Sequence, residues 1–212
     1  MINPRLNNSL SDSILESAAR KPNFSLKYFL RQRTITCNLV ALSYIWLSIS
    51  FNFYLISFQM KYFPGNLFTN TYAAGIADLL GYLFGGVIYR KCGLRKSLIT
   101  CYIFSFIGSM LIIFLNDSSW MSTFVLITKF GITSSFCILF LSIVDVFPTL
   151  FTATAFGICN FFARIGTIFS PSLAEVDEPI PMATCASMCL LGAIVSFSLR
   201  TKPPKKKTTP GQ

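Results

Sequence analysis

The amino-acid sequence predicts an all-α membrane protein with six transmembrane helices. Three observations predict it. Of 212 residues, 53% are hydrophobic and only 12% are charged, where a soluble domain carries about 25% charged residues. The mean hydropathy is +0.60, with 22 phenylalanines. Six apolar stretches, at 35–60, 67–89, 97–115, 121–144, 153–173 and 181–199, are each long enough to cross about 30 Å of hydrocarbon. Short loops separate them, so neighbouring spans form antiparallel hairpins.

Residues 1–33 form a polar N-terminal segment with no apolar run of the kind a signal peptide needs, so the first span acts as its own insertion signal. A transmembrane domain follows over 34–200, then a basic tail over 201–212. The first span holds Asn38, Tyr44, Trp46, Asn52, Phe53, Tyr54 and Gln59. Its three amides are unusual for a lipid-facing helix. Asn52, Phe53 and Tyr54 suit an apolar pocket with a few polar groups, which is how organic solutes are held; the aromatics equally suit packing. The second span carries Asp78, the one carboxylate deep in a span, among Gly75, Gly81, Gly85 and Gly86, which permit close helix packing.

The third span, 97–115, carries no charged residue. The fourth carries Lys129, about 12 Å below its outer end at 1.5 Å per residue. A lysine snorkels to the interface from that depth, or lines a cavity. The fifth span carries Arg164 at mid-depth. A guanidinium there costs a few kcal/mol or more on insertion scales, and it marks a protein interior or a polar pathway. Gly157, Asn160, Arg164, Thr167 and Pro171 recur at helical spacing on one small or polar face. Cys159, Ala163, Gly166 and Ser170 form an adjacent small-residue face suited to close packing. Arg164 either grips an anionic group as a bidentate donor or pairs with an intramembrane acid. Asp78 is the candidate acid; it alternatively carries a proton or contacts a cationic solute. The two lie at similar depth in spans two and five, the matching positions of a three-plus-three inverted repeat.

Charge predicts orientation. Basic residues cluster in the N-terminal segment, in the loop Arg90, Lys91, Arg95 and Lys96, and in the tail from Arg200 to Lys207, leaving Lys61, Lys129 and Arg164 as the others. All three clusters fall on one side of a six-span arrangement, which makes that side, and both termini, cytoplasmic. The net charge of +10 then reflects topology and attraction to anionic lipid, not nucleic-acid binding. The seven cysteines, an odd number set mostly inside spans, read as small buried hydrophobes. With no histidine, no nucleophile–base pair and no phosphate-binding loop, the sequence points away from an enzyme, a metal site or a bound cofactor. Of the outer and N-terminal sequons, Asn116 lies in a short loop, and Asn7 and Asn23 lie on the cytoplasmic side.

Several motifs carry a family likeness. Gly86-Val-Ile-Tyr-Arg90-Lys91-Cys-Gly93-Leu-Arg95-Lys96 resembles the basic loop motif of the major facilitator superfamily, with Arg90 where that pattern has an acid. Asp145-Val-Phe-Pro148-Thr149 resembles the sequence that opens the eleventh helix of the organic cation/anion/zwitterion transporters, solute carrier family 22. Phe156 through Pro171 is similar to that eleventh helix, the region from Trp46 to Tyr54 to the seventh, and the region from Asn66 to Asp78 to the start of the eighth. The resemblance implies one major-facilitator-type half bundle, the second half of a twelve-helix transporter, and covers roughly residues 25–200. It implies gating roles for Gly86, Arg90, Lys91, Gly93, Arg95, Lys96, Asp145 and Pro148. It implies a substrate site at Arg164, Asn160, Thr167, Tyr54, Phe53, Asn52 and Asp78. Arginine at position 164 is the anion-transporter choice, so a small organic anion is the expected solute. Departures stand at Thr152, where an arginine is usual, at Tyr82, where some anion transporters have a lysine, and at Leu80, where a proline is common.

A half bundle supplies half of a cavity wall. The expected partner is an N-terminal six-helix half or a second copy, in a lipid bilayer, with the plasma membrane as the family-based location. A truncated chain, or a non-transporting membrane protein or assembly subunit, is the alternative expectation.

Overall fold

The computed structural model describes residues 33–115, 120–147 and 149–199. The chain divides into Met1–Thr36 and Cys37–Gln212, and the packing is that of the second unit. The described residues form seven helices: α1 Arg33–Gln59, α2 Leu67–Cys92, α3 Leu94–Leu115, α4 Met121–Val146, α5 Thr149–Ile168, α6 Ser170–Ala174 and α7 Ile180–Ser198. Six membrane-length spans result, because α5 and α6 share one span over Phe151–Ala174. The N-terminal segment, the 201–212 tail, the sequons and Pro148 lie outside the described residues.

Local chemistry sets the breaks. Asn66 caps α2, its side chain accepting from the Phe68 amide at 2.9 Å, which satisfies one of the orphan donors of a first turn. Gly93 ends α2 at φ 76°, a backbone conformation that glycine adopts at no steric cost. Leu94 then begins α3 at once, so Arg90, Lys91, Arg95 and Lys96 flank a one-residue turn and are all exposed. The fifth span, expected as one unbroken helix, is divided at Phe169. Pro171 has no amide proton to bond the Thr167 carbonyl, so it stops α5 and sits in the first turn of α6.

The six spans repeat a burial pattern twice. In α1, α2 and α3, 67%, 22% and 39% of the most apolar stretch is buried; in α4, α5–α6 and α7 the values are 61%, 22% and 44%. The first helix of each trio is central and the second is peripheral, as a three-plus-three repeat requires.

Small residues bring the helices close. A Cβ on Gly81 would lie 2.9 Å from Thr133 Cβ, and one on Gly85 would lie 3.0 Å from the Ser134 carbonyl oxygen, so these two glycines set the approach of α2 to α4. Gly75 and Gly86 have open space instead, which narrows the expected packing set from four glycines to two. Gly131 lets α4 approach the Cys101 carbonyl of α3, and Gly192 lets α7 pack on the Tyr102 ring. On α5, Cys159 meets Ser43 at 3.4 Å, Gly166 faces Leu47, and Ser170 of α6 donates to the Phe51 carbonyl at 3.4 Å. The small-residue face read from the sequence is therefore the face that packs on α1.

Candidate functional site

Phe156, Asn160 and Arg164 follow one another a turn apart on α5. At the N-terminal end of this strip, the Phe156 ring packs edge-on against Trp46 of α1 at 5.3 Å and lies 6.0 Å from Phe140 of α4. The strip therefore borders the α1–α4 wall. Phe161, Phe162 and Ile165 on α5, and Phe169 just after it, are exposed and apolar, as a lipid-facing surface would be; Phe161 lies three residues from Arg164 and neighbours it on the helix.

Arg164 is exposed and takes part in no ion pair among the described residues. Asn160 and Thr167 beside it are half-buried. The Thr167 hydroxyl donates to the Arg164 carbonyl at 2.9 Å, so its proton is already used and only its lone pairs remain.

The wall between α1 and α4 is a run of aromatic rings. Phe53 meets Phe136 at 5.8 Å, Phe136 stacks on Phe140 at 5.9 Å, and Trp46 packs edge-on to Phe140 at 5.2 Å. Tyr54 extends the run outward, 5.6 Å from Phe53 and 6.5 Å from Phe58. Centroid separations of about 4.5–7 Å are those at which aromatic pairs attract. Phe53 and Tyr54 are half-buried on this aromatic surface.

Asn52 does not join them. It is fully buried and its amide donates to Cys189 of α7 at 3.5 Å. One residue from Phe53 on a helix is a rotation of about 100°, enough to turn Asn52 from the ring wall into the bundle interior. It leaves the candidate solute-contacting group.

The partner expected for Asp78 is also replaced. Its Oδ1 accepts from the Thr133 hydroxyl at 2.5 Å, and its Oδ2 lies 3.9 Å from the Lys129 ammonium. Lys129 does not snorkel. It is 2% exposed, donates to Ser57 Oγ at 2.8 Å and to the Phe53 carbonyl at 3.4 Å, and sits 3.6 Å from the Phe53 ring centroid. Asp78 is joined to Lys129, and no contact joins it to Arg164 among the described residues. Sequence reasoning left Lys129 and Thr133 outside the site. The available signal was the four-residue step from Lys129 to Thr133, which puts a hydroxyl on the same face of the helix as the lysine.

Near the C-terminal ends of α2 and α4, the Tyr89 hydroxyl donates to Asp145, tying the two helices together. Arg90, where the family-type motif has an acid, is exposed.

Against known proteins, the model of the Major Facilitator Superfamily matches residues 4–171. The chain belongs to that superfamily. It is similar to human organic cation/carnitine transporter 2, 22% identical over 191 residues, covering 86% of this chain and 34% of that protein. It is 23% identical over 198 residues to mouse solute carrier family 22 member 21, covering 89% of this chain and 35% of that protein. A Drosophila melanogaster organic cation transporter protein is 25% identical over 189 residues, covering 87% and 34%. The chain thus spans about a third of the length of the curated relatives it matches. The resemblance to solute carrier family 22 read from the motifs stands, and so does the major-facilitator half bundle with its six spans.

Proposed function

We propose that this chain forms the C-terminal half of the wall of a secondary transporter for small organic ions, working by alternating access with an N-terminal six-helix half or a second copy. The observation that carries the reading is Arg164. It is a mid-span guanidinium, exposed, about two turns from the Phe156 ring of the aromatic wall and lacking an ion-pair partner among the described residues. Facing hydrocarbon would cost too much, so a polar cavity or a partner covers it.

In this reading Arg164 grips an anionic group of the solute, Asn160 and Thr167 orient it, and the rings from Tyr54 to Phe156 hold its apolar body. A pure anion preference finds no support in the relatives, whose names specify organic cations and carnitine. Carnitine itself carries both a carboxylate and a quaternary ammonium. The solute class therefore widens from an anion to an organic ion bearing at least one anionic group. The basic loop at Arg90–Lys96 and the Tyr89–Asp145 contact lie on the cytoplasmic side, with both termini, in a plasma-membrane orientation.

The test is uptake of labelled organic anions, cations and zwitterions by cells expressing the chain, alone and with an N-terminal half, beside Arg164→Ala at equal surface abundance. Uptake of carboxylate-bearing solutes is expected to fall by about 10-fold to 100-fold, the loss of a charge-assisted bidentate contact. Uptake that ignores the substitution overturns the assignment.

A further inference from the structure

We propose that Met182, Cys185 and Cys189 of α7 form a binding site for Cu(I), a soft monovalent metal ion, next to a cavity between the ends of α3 and α7. The site lies apart from Arg164 and the aromatic wall, and it does not rest on the transporter reading.

Spacing brings the sulfurs together. Residues 182, 185 and 189 recur at steps of three and four, so a thioether and two thiols share one helical face. All three side chains are buried, and both cysteines are free thiols. The two thiols, one turn apart, interact directly with each other. Thiolate and thioether sulfurs suit soft ions such as Cu(I). No group of three or more His, Cys, Asp or Glu gathers among the described residues, so the four-ligand set of a structural zinc site is missing. Two or three sulfurs are enough for Cu(I).

Each thiol has one polar side chain turned to it. Ser109 of α3 has its hydroxyl 3.3 Å from the Cys185 sulfur. The proton of that hydroxyl goes to the Ser105 carbonyl at 2.9 Å, so its oxygen accepts the Cys185 S–H. The Asn52 amide donates to the Cys189 sulfur at 3.5 Å. An amide nitrogen can only donate, and a donor favours a thiolate. The Asn52 Oδ1 is buried with no hydrogen-bond partner. A buried amide bonded only to a sulfur is costly as packing. Around a metal-bound thiolate it is the outer-shell contact that orients the ligand.

The way in runs past Met182. A cavity of about 240 Å³ lies between the end of α3 and the start of α7, with Ile112, Glu178 and Met182 in its wall. Glu178 is exposed, and its carboxylate draws cations to the mouth. Met182 is both a wall of the cavity and the first sulfur of the series. Cys185 follows about 4.5 Å further along the α7 axis and Cys189 about 6 Å beyond that, at 1.5 Å per residue. An ion entering the cavity passes from thioether to thiol by ligand exchange. Cu(I) replaces the Cys189 proton, which is released to water, while Cys185 keeps its proton on Ser109. The loaded site holds one cation and one thiolate and is neutral, which avoids the cost of a lone buried charge. No electron is transferred.

Cu(I) is the probe, supplied without oxygen as its bicinchoninate complex to the purified full chain in lipid nanodiscs. Transfer is read as loss of the absorbance of that complex. Cys37→Ser/Cys92→Ser removes the exposed thiols, and this chain is expected to take up one Cu(I). Adding Cys185→Ser/Cys189→Ser is expected to abolish that uptake, and adding Met182→Leu instead is expected to weaken it by about tenfold. The proposal is overturned if the Cys37→Ser/Cys92→Ser chain takes up no Cu(I), if uptake survives loss of both buried thiols, or if Met182→Leu leaves the affinity unchanged.

X-ray absorption at the copper edge is a second readout, made on the loaded Cys37→Ser/Cys92→Ser chain and independent of how the buried variants fold. Sulfur neighbours alone are expected around the copper. Nitrogen or oxygen neighbours overturn the assignment. Neither measurement reads flux and Arg164 is intact throughout, so failure here leaves the uptake test of Arg164 standing, and the reverse also holds.

Discussion

The second helices of the two trios, α2 and α5, occupy matching positions and are the least buried spans, yet they handle their mid-span charges in opposite ways. Asp78 on α2 is taken up inside the bundle, bonded by Thr133 and attracted by Lys129. Arg164 on α5 is exposed, about two turns beyond Phe156, whose ring joins the aromatic wall. The difference follows from what each helix packs against. α2 lies tightly on α4 through Gly81 and Gly85, which brings the polar side chains of α4 within reach of its carboxylate. α5 lies on α1 through Cys159, Ala163 and Gly166, and the side of α1 it meets offers Ser43 and Leu47 but no acid. One charge is thus tied into the half bundle, and the other is left for whatever fills the open side.

The comparison breaks most visibly in stability. Asp78→Ala leaves the Lys129 ammonium buried without its counter-charge. Removing one member of a fully buried pair costs about 3–5 kcal/mol, and the partial exposure of Asp78 brings the expected loss to about 2–3 kcal/mol. Arg164→Ala removes no internal partner and is expected to change stability by less than about 0.5 kcal/mol, while solute uptake falls. Thermal unfolding of the two variants in one detergent checks this. Equal losses would mean that both charges, or neither, are internal.

A smaller effect sharpens the packing side of the contrast. Gly81→Val drives a side chain into Thr133 and the Ser134 amide and is expected to cost about 1–3 kcal/mol, the range for overpacking. Gly86→Val, on the same helix with open space around it, is expected to be near neutral. Gly157→Val on α5 is the matching control, since nothing lies near that position. If Gly86→Val destabilises as much as Gly81→Val, the α2–α4 approach is not set by Gly81 and Gly85.

Much of this contrast was legible in the sequence, because the bilayer imposes length and apolarity on every span. The six spans were readable to within a few residues, and the polar and small faces of the fifth span were both readable from the 3.6-residue period. What was not legible is which polar groups meet across helices. Asp78 and Arg164 looked like partners because they share a depth and opposite signs. Depth, though, fixes only one coordinate. The lateral neighbour of α2 is α4, and that pairing arises from glycine-mediated packing, which a periodicity does not reveal. Lys129 misled for a related reason. From its distance to the span end it can reach the interface, but the carboxylate, carbonyl, hydroxyl and ring around it offer better company than the headgroups. Pro171 was visible in the sequence but counted only as one more residue on a helical face; it divides the helix without ending the span.

The smallest expected effect has the opposite sign and tests where the site stops. Asn52 stands next to Phe53 in sequence, yet its Oδ1 is buried with no hydrogen-bond partner, and its amide reaches only a cysteine sulfur at 3.5 Å. A buried polar atom without a partner costs about 1–3 kcal/mol of desolvation. Asn52→Leu removes that cost and places an apolar side chain of similar size between α1 and α7. The variant is expected to unfold at the same temperature as the native protein or slightly higher, with uptake unchanged. Loss of uptake at undiminished stability would return Asn52 to the solute-contacting group and would mean that the cavity reaches behind α1, toward α7. Loss of stability would mean that the amide has a partner worth more than the desolvation it costs.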